Sequence, residues 1–251
     1  MQRVLITAGA AGIGREFARA FAAIGAKVFI CDIDAENLAA MAKEIPGLVA
    51  SRCDMSKRAD IERMVPEAAA ALGGIDVLIN NAGVAGLTMP VEDFPPDDWD
   101  KVMAINLTGM FDTTRLAIPH LKKSDAGCII NMSSVAGRFG IPNRAPYAAT
   151  KWGVIGLTKT LAIELGEWNI RANAIAPGLV EGDRIQRVFR GKSQLSGRSM
   201  QEIQDETFSY QSIKKFVDPK DIAQLAVFLA SPAAKTISGQ VIPIDADRQH
   251  A

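Results

Sequence analysis

A chain of 251 residues with 48% hydrophobic content is long enough to bury one large core, and doubly wound folds of this length form a single domain. Lysine plus arginine and aspartate plus glutamate are equal at 28 each, a balance that argues against nucleic acid or a charged membrane surface as partner. No apolar run approaches the length of a membrane span, and a strand-like pattern from Arg3 leaves no room for a leader, so cytoplasm is the expected location. Cys31, Cys53 and Cys128 lie in or beside apolar runs without metal-ligand spacing, and the chain has only two histidines. The expectation is core thiols and no metal.

In chain order, residues 3–7 read as a short buried strand, 8–14 as a glycine-containing turn, and 15–25 as a helix with apolar positions at Phe17, Ala18, Phe21, Ala22 and Ile24. Strand, glycine turn and helix in that order receive a pyrophosphate, because backbone N–H groups and the positive helix end face the anion. The second strand ends at Asp32, about 20 residues beyond the turn, where a carboxylate binds both hydroxyls of an adenosine ribose. That combination predicts NAD rather than NADP.

Further strand-like runs fall at 48–52, 77–80, 128–132, 171–175 and 240–244, with helical patterns at 56–71, 97–121, 147–168 and 219–229. Repeated βα units of this kind imply an α/β fold: a Rossmann-type doubly wound parallel sheet with helices on both faces and ligand at the carboxyl ends of the strands. Residues 182–210 form the longest irregular stretch, polar and basic, placed to act as a substrate lid.

Tyr147 and Lys151 stand four residues apart, with Ser134 thirteen residues upstream of the tyrosine. On a helix the ammonium sits beside the phenol and favours its ionised form, which brings an ordinary pKa of roughly 10 toward acid/base chemistry near neutrality. Such a proton-transfer device calls for a redox or elimination partner.

The turn from Thr7 to Gly14, Cys53-Asp54, Asn80-Asn81-Ala82-Gly83, Asn106, Ser134, Tyr147, Lys151 and Pro177-Gly178, in this order, resemble the classical short-chain dehydrogenase/reductase family over essentially the whole chain. The resemblance implies an NAD(H)-dependent oxidoreductase that interconverts a secondary alcohol and a ketone. Tyr147 would move the hydroxyl proton and Ser134 would hold the substrate oxygen. Lys151 would lower the tyrosine pKa and hold the nicotinamide ribose, and Asn106 would distort its helix and hold a water linked to Lys151. The resemblance also implies cofactor contacts at Gly9, Gly12, Ile13 and Gly14 in the turn, and at Asp32, Ile33, Cys53 and Asp54 beyond it. Asn80, Ala82, Gly83, Pro177, Gly178 and Val180 complete the set, together with Tyr147 and Lys151. Ser133 is structural on this reading, and Trp152 and Trp168 serve packing or subunit contact.

Three positions depart from the family pattern. Ala8 replaces the glycine after the threonine, Gly182 replaces a threonine that contacts the nicotinamide carboxamide, and Asp245-Ala246 stands where Asp-Gly is common. Family members assemble as dimers or tetramers through helices matching 97–121 and 147–168, and small residues at Ala148, Ala149, Gly153 and Gly156 permit close approach. A homotetramer or homodimer is therefore expected.

The substrate is expected to be a small polar alcohol or ketone, sugar-like or an anionic hydroxy acid. Helical spacing puts Arg184 and Arg187 on one face of the lid, where they either form a solvated basic face or bind a carboxylate, phosphate or sulfonate. Two alternatives are a 3-oxoacyl reductase of the same family, disfavoured by Asp32 because that branch prefers NADP, and a non-catalytic dinucleotide-binding regulator. Against the regulator stands the complete proton-transfer set.

Overall fold

The computed structural model describes residues 1–249. Seven strands form one parallel sheet: β1 (Arg3–Thr7), β2 (Lys27–Asp32), β3 (Val49–Arg52), β4 (Val77–Asn80), β5 (Cys128–Met132), β6 (Arg171–Pro177) and β7 (Val241–Ile244). Their order is β3-β2-β1-β4-β5-β6-β7. Val4 of β1 pairs with Val28 on one side and Val77 on the other, so the chain winds outward in both directions from the β1/β4 boundary. In a doubly wound sheet that boundary opens a crevice at the carboxyl ends of the strands.

The two-residue side-chain period of a strand sorts the core into two layers. Val4, Ile6, Val28, Ile30, Val77 and Ile79 face α1 (Gly12–Ala23), which buries Phe17, Ala18 and Phe21, and α9 (Pro219–Ala230). Leu5, Phe29, Leu78 and Ile129 face the opposite layer of α3 (Arg58–Leu72), α5 (Gly109–Leu121) and α6 (Ala145–Glu164). Helix α2 (Ala35–Glu44) starts on Asp34, whose carboxylate accepts from the Glu36 and Asn37 N–H groups. Cys31, Cys53 and Cys128 are buried free thiols within this core.

Three local outcomes differ from the sequence expectation. Helix α1 begins at Gly12, three residues early, because only Ala11 keeps an extended backbone as its N-cap. The helix over 97–121 is one run interrupted by a π turn at Ala104–Thr108, which separates α4 (Pro96–Met103) from α5.

The third difference concerns the local structure of the stretch expected to act as a lid. Residues 182–210 are not irregular; they form α7 (Asp183–Ser196) and α8 (Met200–Ser209). A left-handed Gly197 ends the first, and a reciprocal capping box between Ser199 and Glu202 starts the second. Their apolar anchors are few, but Phe189 is fully buried and its ring centroid lies 6.4 Å from that of Phe216, which in turn meets Phe208 edge-on at 4.8 Å. Burial of one such ring contributes about 1.5–3 kcal/mol, enough to seat a polar helix on the rim of the crevice.

Candidate active site

The glycine turn is clamped from two sides. Gly9 N–H donates to the Cys31 carbonyl at 3.0 Å, and the Asn81 side-chain amide donates to the Thr7 and Ala8 carbonyls at 3.1 and 2.9 Å. Thr7 Oγ1 accepts from the Asn81 and Ala82 N–H groups, each at 3.0 Å. A side chain at Gly14 would put its Cβ 1.9 Å from the Ala8 oxygen, so only glycine lets the first turn of α1 pack under the loop. Ala11 supplies no side-chain cap, and the early N–H groups of α1, from Gly12 through Ile13, remain available at the positive end of the helix. These features fit a dinucleotide pyrophosphate.

Asp32 closes the far side of that cradle. Its carboxylate accepts from the Ala10 N–H at 3.1 Å and the Asp34 N–H at 3.2 Å, while Ile33 is exposed at the rim. Cys53 N–H donates to the Asp32 carbonyl at 2.9 Å, and its thiol is buried. Asp54 accepts from the Ser56 hydroxyl and N–H, bonds that hold its carboxyl below the usual range. Asn80 turns inward: its amide donates to Thr114 and Asn131, and its Oδ1 is buried without a partner. It braces β4 against β5 and α5 from behind.

On the nicotinamide side of such a cofactor, α6 places Tyr147 and Lys151 one turn apart. The Lys151 Nζ lies 5.7 Å from the Tyr147 ring centroid and donates to the Met132 carbonyl at 2.6 Å. Ser134, the first residue of a short turn after β5, accepts from the Ala136 N–H at 3.1 Å and also bonds Tyr147. Ser133 Oγ donates to the Lys151 carbonyl at 2.9 Å, a structural tie between β5 and α6.

Burial alone would raise the Tyr147 pKa, but Arg184, Lys151, the Ser134 hydrogen bond and Arg144 together bring it down to about 8. Burial lowers Lys151 to about 8 as well, with Arg184 pushing the same way and Tyr147 opposing. The pair therefore exchanges protons in the range where an alcohol dehydrogenation needs a base.

Asn106 sits in the middle of the π turn, fully buried. Its Oδ1 accepts from the Val84 N–H at 2.7 Å, and its amide donates to the Val84 carbonyl at 3.0 Å and to Thr150 Oγ1 at 3.2 Å. A Cβ on Gly83 would lie 3.2 Å from Asn106 Oδ1 and 3.6 Å from Lys151 Nζ, so Gly83 and Asn106 stand at the buried end of the lysine. Across the sheet, Pro177 ends β6, Gly178 N–H donates to the Ile244 carbonyl at 3.0 Å, and Val180 bridges to Val217.

All three family departures have a backbone consequence. Ala8 and Ala246 keep left-handed φ values of 50° and 57°, and Gly182, the N-cap of α7, adopts φ 133°. Alanine thus carries the strain at two glycine-favouring positions.

Arg184 and Arg187 are both exposed on α7, but Arg184 brings its guanidinium carbon to 5.6 Å from the Tyr147 ring centroid. Sequence reasoning missed Arg144, the N-cap of α6, whose guanidinium carbon is 5.1 Å from the same ring. Its only signal was a cation three residues ahead of the tyrosine. Asn81 and Thr7 were likewise legible as turn residues and not as the clamp they form.

A dinucleotide cradle facing a Ser-Tyr-Lys set at the crevice of a parallel sheet defines a nicotinamide-type oxidoreductase scaffold. A family model described as enoyl-(acyl carrier protein) reductase matches residues 8–246, and the chain belongs to the classical short-chain dehydrogenase/reductase family. It is similar to the D-beta-hydroxybutyrate dehydrogenase of Cupriavidus necator, 38% identical over 247 residues that cover 96% of this chain and 95% of the relative. Among solved structures it is similar to a variant of actinorhodin polyketide ketoreductase with NADPH, at TM-score 0.92 and 31% identity, covering 98% of this chain and 96% of that one. It is also similar to the 3-ketoacyl-(acyl-carrier-protein) reductase of Brucella melitensis complexed with NADH, at TM-score 0.89 and 33% identity, covering 99% and 98%.

Proposed function

We propose that this protein is an NAD(H)-dependent dehydrogenase that interconverts a small polar secondary alcohol and its ketone. The observation that carries the reading is the Tyr147 phenol, lowered to about 8 beside Lys151 and bonded to Ser134. Bound NAD(H) supplies or accepts the hydride. Tyr147 Oη takes the hydroxyl proton during oxidation and returns it during reduction. Ser134 orients the substrate oxygen and steadies the charge that develops on it. Lys151 keeps the phenol acidic and holds the nicotinamide ribose, with Asn106 and Gly83 fixing its surroundings.

Asp32 supports NAD over NADP, because its carboxylate at the end of β2 would face a 2′-phosphate across a short distance. The Brucella melitensis neighbour carries NADH in its description and the polyketide ketoreductase NADPH, so cofactor choice rests on Asp32. The same Brucella neighbour favours 3-oxoacyl reduction as a second reading. Exposed Phe111 on α5 and Trp152 on α6 support assembly as a homotetramer or homodimer through those helices. The cytoplasm is the location proposed.

The test mixes the protein with NAD or NADP and a panel of secondary alcohols that includes hydroxy acids, polyols and 3-hydroxyacyl thioesters, and follows dihydronicotinamide absorbance. Turnover of small alcohols with NAD supports the reading. Turnover confined to acyl thioesters selects the 3-oxoacyl reading, and dinucleotide binding without any turnover selects a regulator.

A further inference from the structure

Positive charge gathers around Tyr147, and the acid that attracts Arg144, Asp98, forms no ion pair with it. Arg144 is only 5% exposed, yet its guanidinium gives one hydrogen bond, to the Ala85 carbonyl at 2.8 Å, and its Nε is buried without a partner. No carboxylate among the described residues lies within ion-pair distance of it. A buried guanidinium is costly to hold unless a counter-charge completes its donor set.

Lys192 lies on α7, the helix that packs against the loop holding Arg144, and its charge is felt by that arginine. Gly191 packs beside Thr88, where a Cβ would come 3.0 Å from its Oγ1. This seats α7 against the loop after β4 whose Ala85 carbonyl holds Arg144 and whose Met89 N–H donates to Asn143 at 3.1 Å. The Lys192 carbonyl accepts from the Ser196 hydroxyl at 2.8 Å, while its ammonium makes no hydrogen bond or ion pair among the described residues. Burial lowers its pKa, with Arg248 and Arg144 adding repulsion and Glu206 opposing.

Nearby acids are already occupied. Glu206 pairs with Arg198 and accepts from the Tyr210 hydroxyl at 2.7 Å, Asp245 pairs with Arg138 at 2.7 Å, and Asp98 accepts from the Leu87 N–H at 3.2 Å. Arg248, 6% exposed, also leaves its Nε buried and unpartnered.

We propose that the pocket between α6 and α7 binds an oxyanion, held by Arg144 and Lys192, so that the substrate is a short alcohol or ketone bearing a carboxylate, sulfonate or phosphate. A planar guanidinium whose Nε is unused suits two oxygens of one such group, and the lysine adds a point charge from the lid side. Arg144 lies against the Tyr147 ring, which keeps the anion close to the reacting carbinol. This assignment rests on the dehydrogenase reading and names its substrate class.

The experiment titrates malonate, methanesulfonate and methylphosphonate into the NADH-saturated protein by calorimetry, with malonamide as the neutral control. NADH binding is measured first. At least one oxyanion should bind while malonamide does not, and Arg144→Gln and Lys192→Gln should each weaken that binding by at least tenfold. Arg190→Gln, on the exposed side of α7, should leave it unchanged. If Arg144→Gln fails to fold, Arg144→Lys should bind oxyanions between wild type and no binding, and Lys192→Gln tests the site independently. Equal binding of malonamide and malonate, or wild-type oxyanion affinity in Lys192→Gln and in a folded Arg144 variant, overturns the proposal. A protein that binds NADH and turns over neutral alcohols but no oxyanion overturns this inference alone. Failure to bind NADH overturns the dehydrogenase reading instead.

Discussion

The Lys151 ammonium stands 5.7 Å from the centre of the Tyr147 ring while donating to the Met132 carbonyl at 2.6 Å. One turn of α6 thus sets a cation beside the phenol, and the last residue of β5 prevents it from swinging away. Helix and sheet together build the acid/base pair.

That pairing predicts a pH profile. Tyr147 is lowered to about 8, so the phenolate base is populated above that value and the phenol acid below it. Alcohol oxidation should rise with pH through a midpoint near 8, and ketone reduction should fall through the same range. Lys151, also lowered to about 8, loses charge there and flattens the gain at higher pH. Arg184→Ala removes the largest favourable charge on the phenol and should move the midpoint upward. Profiles of kcat in both directions check this; a midpoint unmoved by Arg184→Ala would separate the arginine from the base.

Asp32 predicts cofactor choice. Its carboxylate is fixed by the Ala10 and Asp34 N–H groups and cannot rotate away from a 2′-phosphate without losing both. NAD should exceed NADP in kcat/KM by at least roughly tenfold, about 1.4 kcal/mol, and Asp32→Ala should shrink that ratio. Equal use of both dinucleotides by the unaltered protein would contradict it.

Ala8 predicts a gain in stability on substitution. With φ at 50°, its Cβ carries a left-handed penalty of about 1–2 kcal/mol, against which glycine's extra unfolded-state entropy offsets roughly 0.5–1 kcal/mol. Ala8→Gly should therefore stabilise the fold by about 0.5–1 kcal/mol in chemical denaturation. A loss of stability would mean that contacts of the methyl group outweigh the strain.

Gly182 predicts the opposite sign. Its φ of 133° at the start of α7 is closed to a β-branched residue, so Gly182→Thr should destabilise the protein by about 1–3 kcal/mol. It should also raise KM, because α7 carries Arg184 and Lys192 to the pocket. Unchanged stability and KM would show that the lid enters by another path.

The strands were legible because a sheet covered on both faces writes continuous apolar runs, and Tyr147-Lys151 because one helical turn is a local spacing. The lid helices were not. Residues 183–209 are polar, and α7 is held by Phe189 meeting Phe216, a contact that spans more chain than a local window contains. Asn106 was readable as a misfit in a helix, and the π turn around it is that misfit given shape. Arg144 was invisible because its burial comes from a loop 59 residues away in sequence, while Arg187, paired with Arg184 by spacing alone, lies exposed on α7.

Replacement of the phenol oxygen tests the central claim most directly. Tyr147→Phe keeps the ring between Arg144, Arg184 and Lys151 and removes only the atom that moves the proton. With NAD and the best alcohol of the panel, kcat should fall by at least roughly 10²–10⁴-fold while dinucleotide affinity stays near that of the unaltered protein. Retention of more than about a tenth of the rate, well short of the loss expected for a general base, would assign the proton transfer to another group and contradict the account.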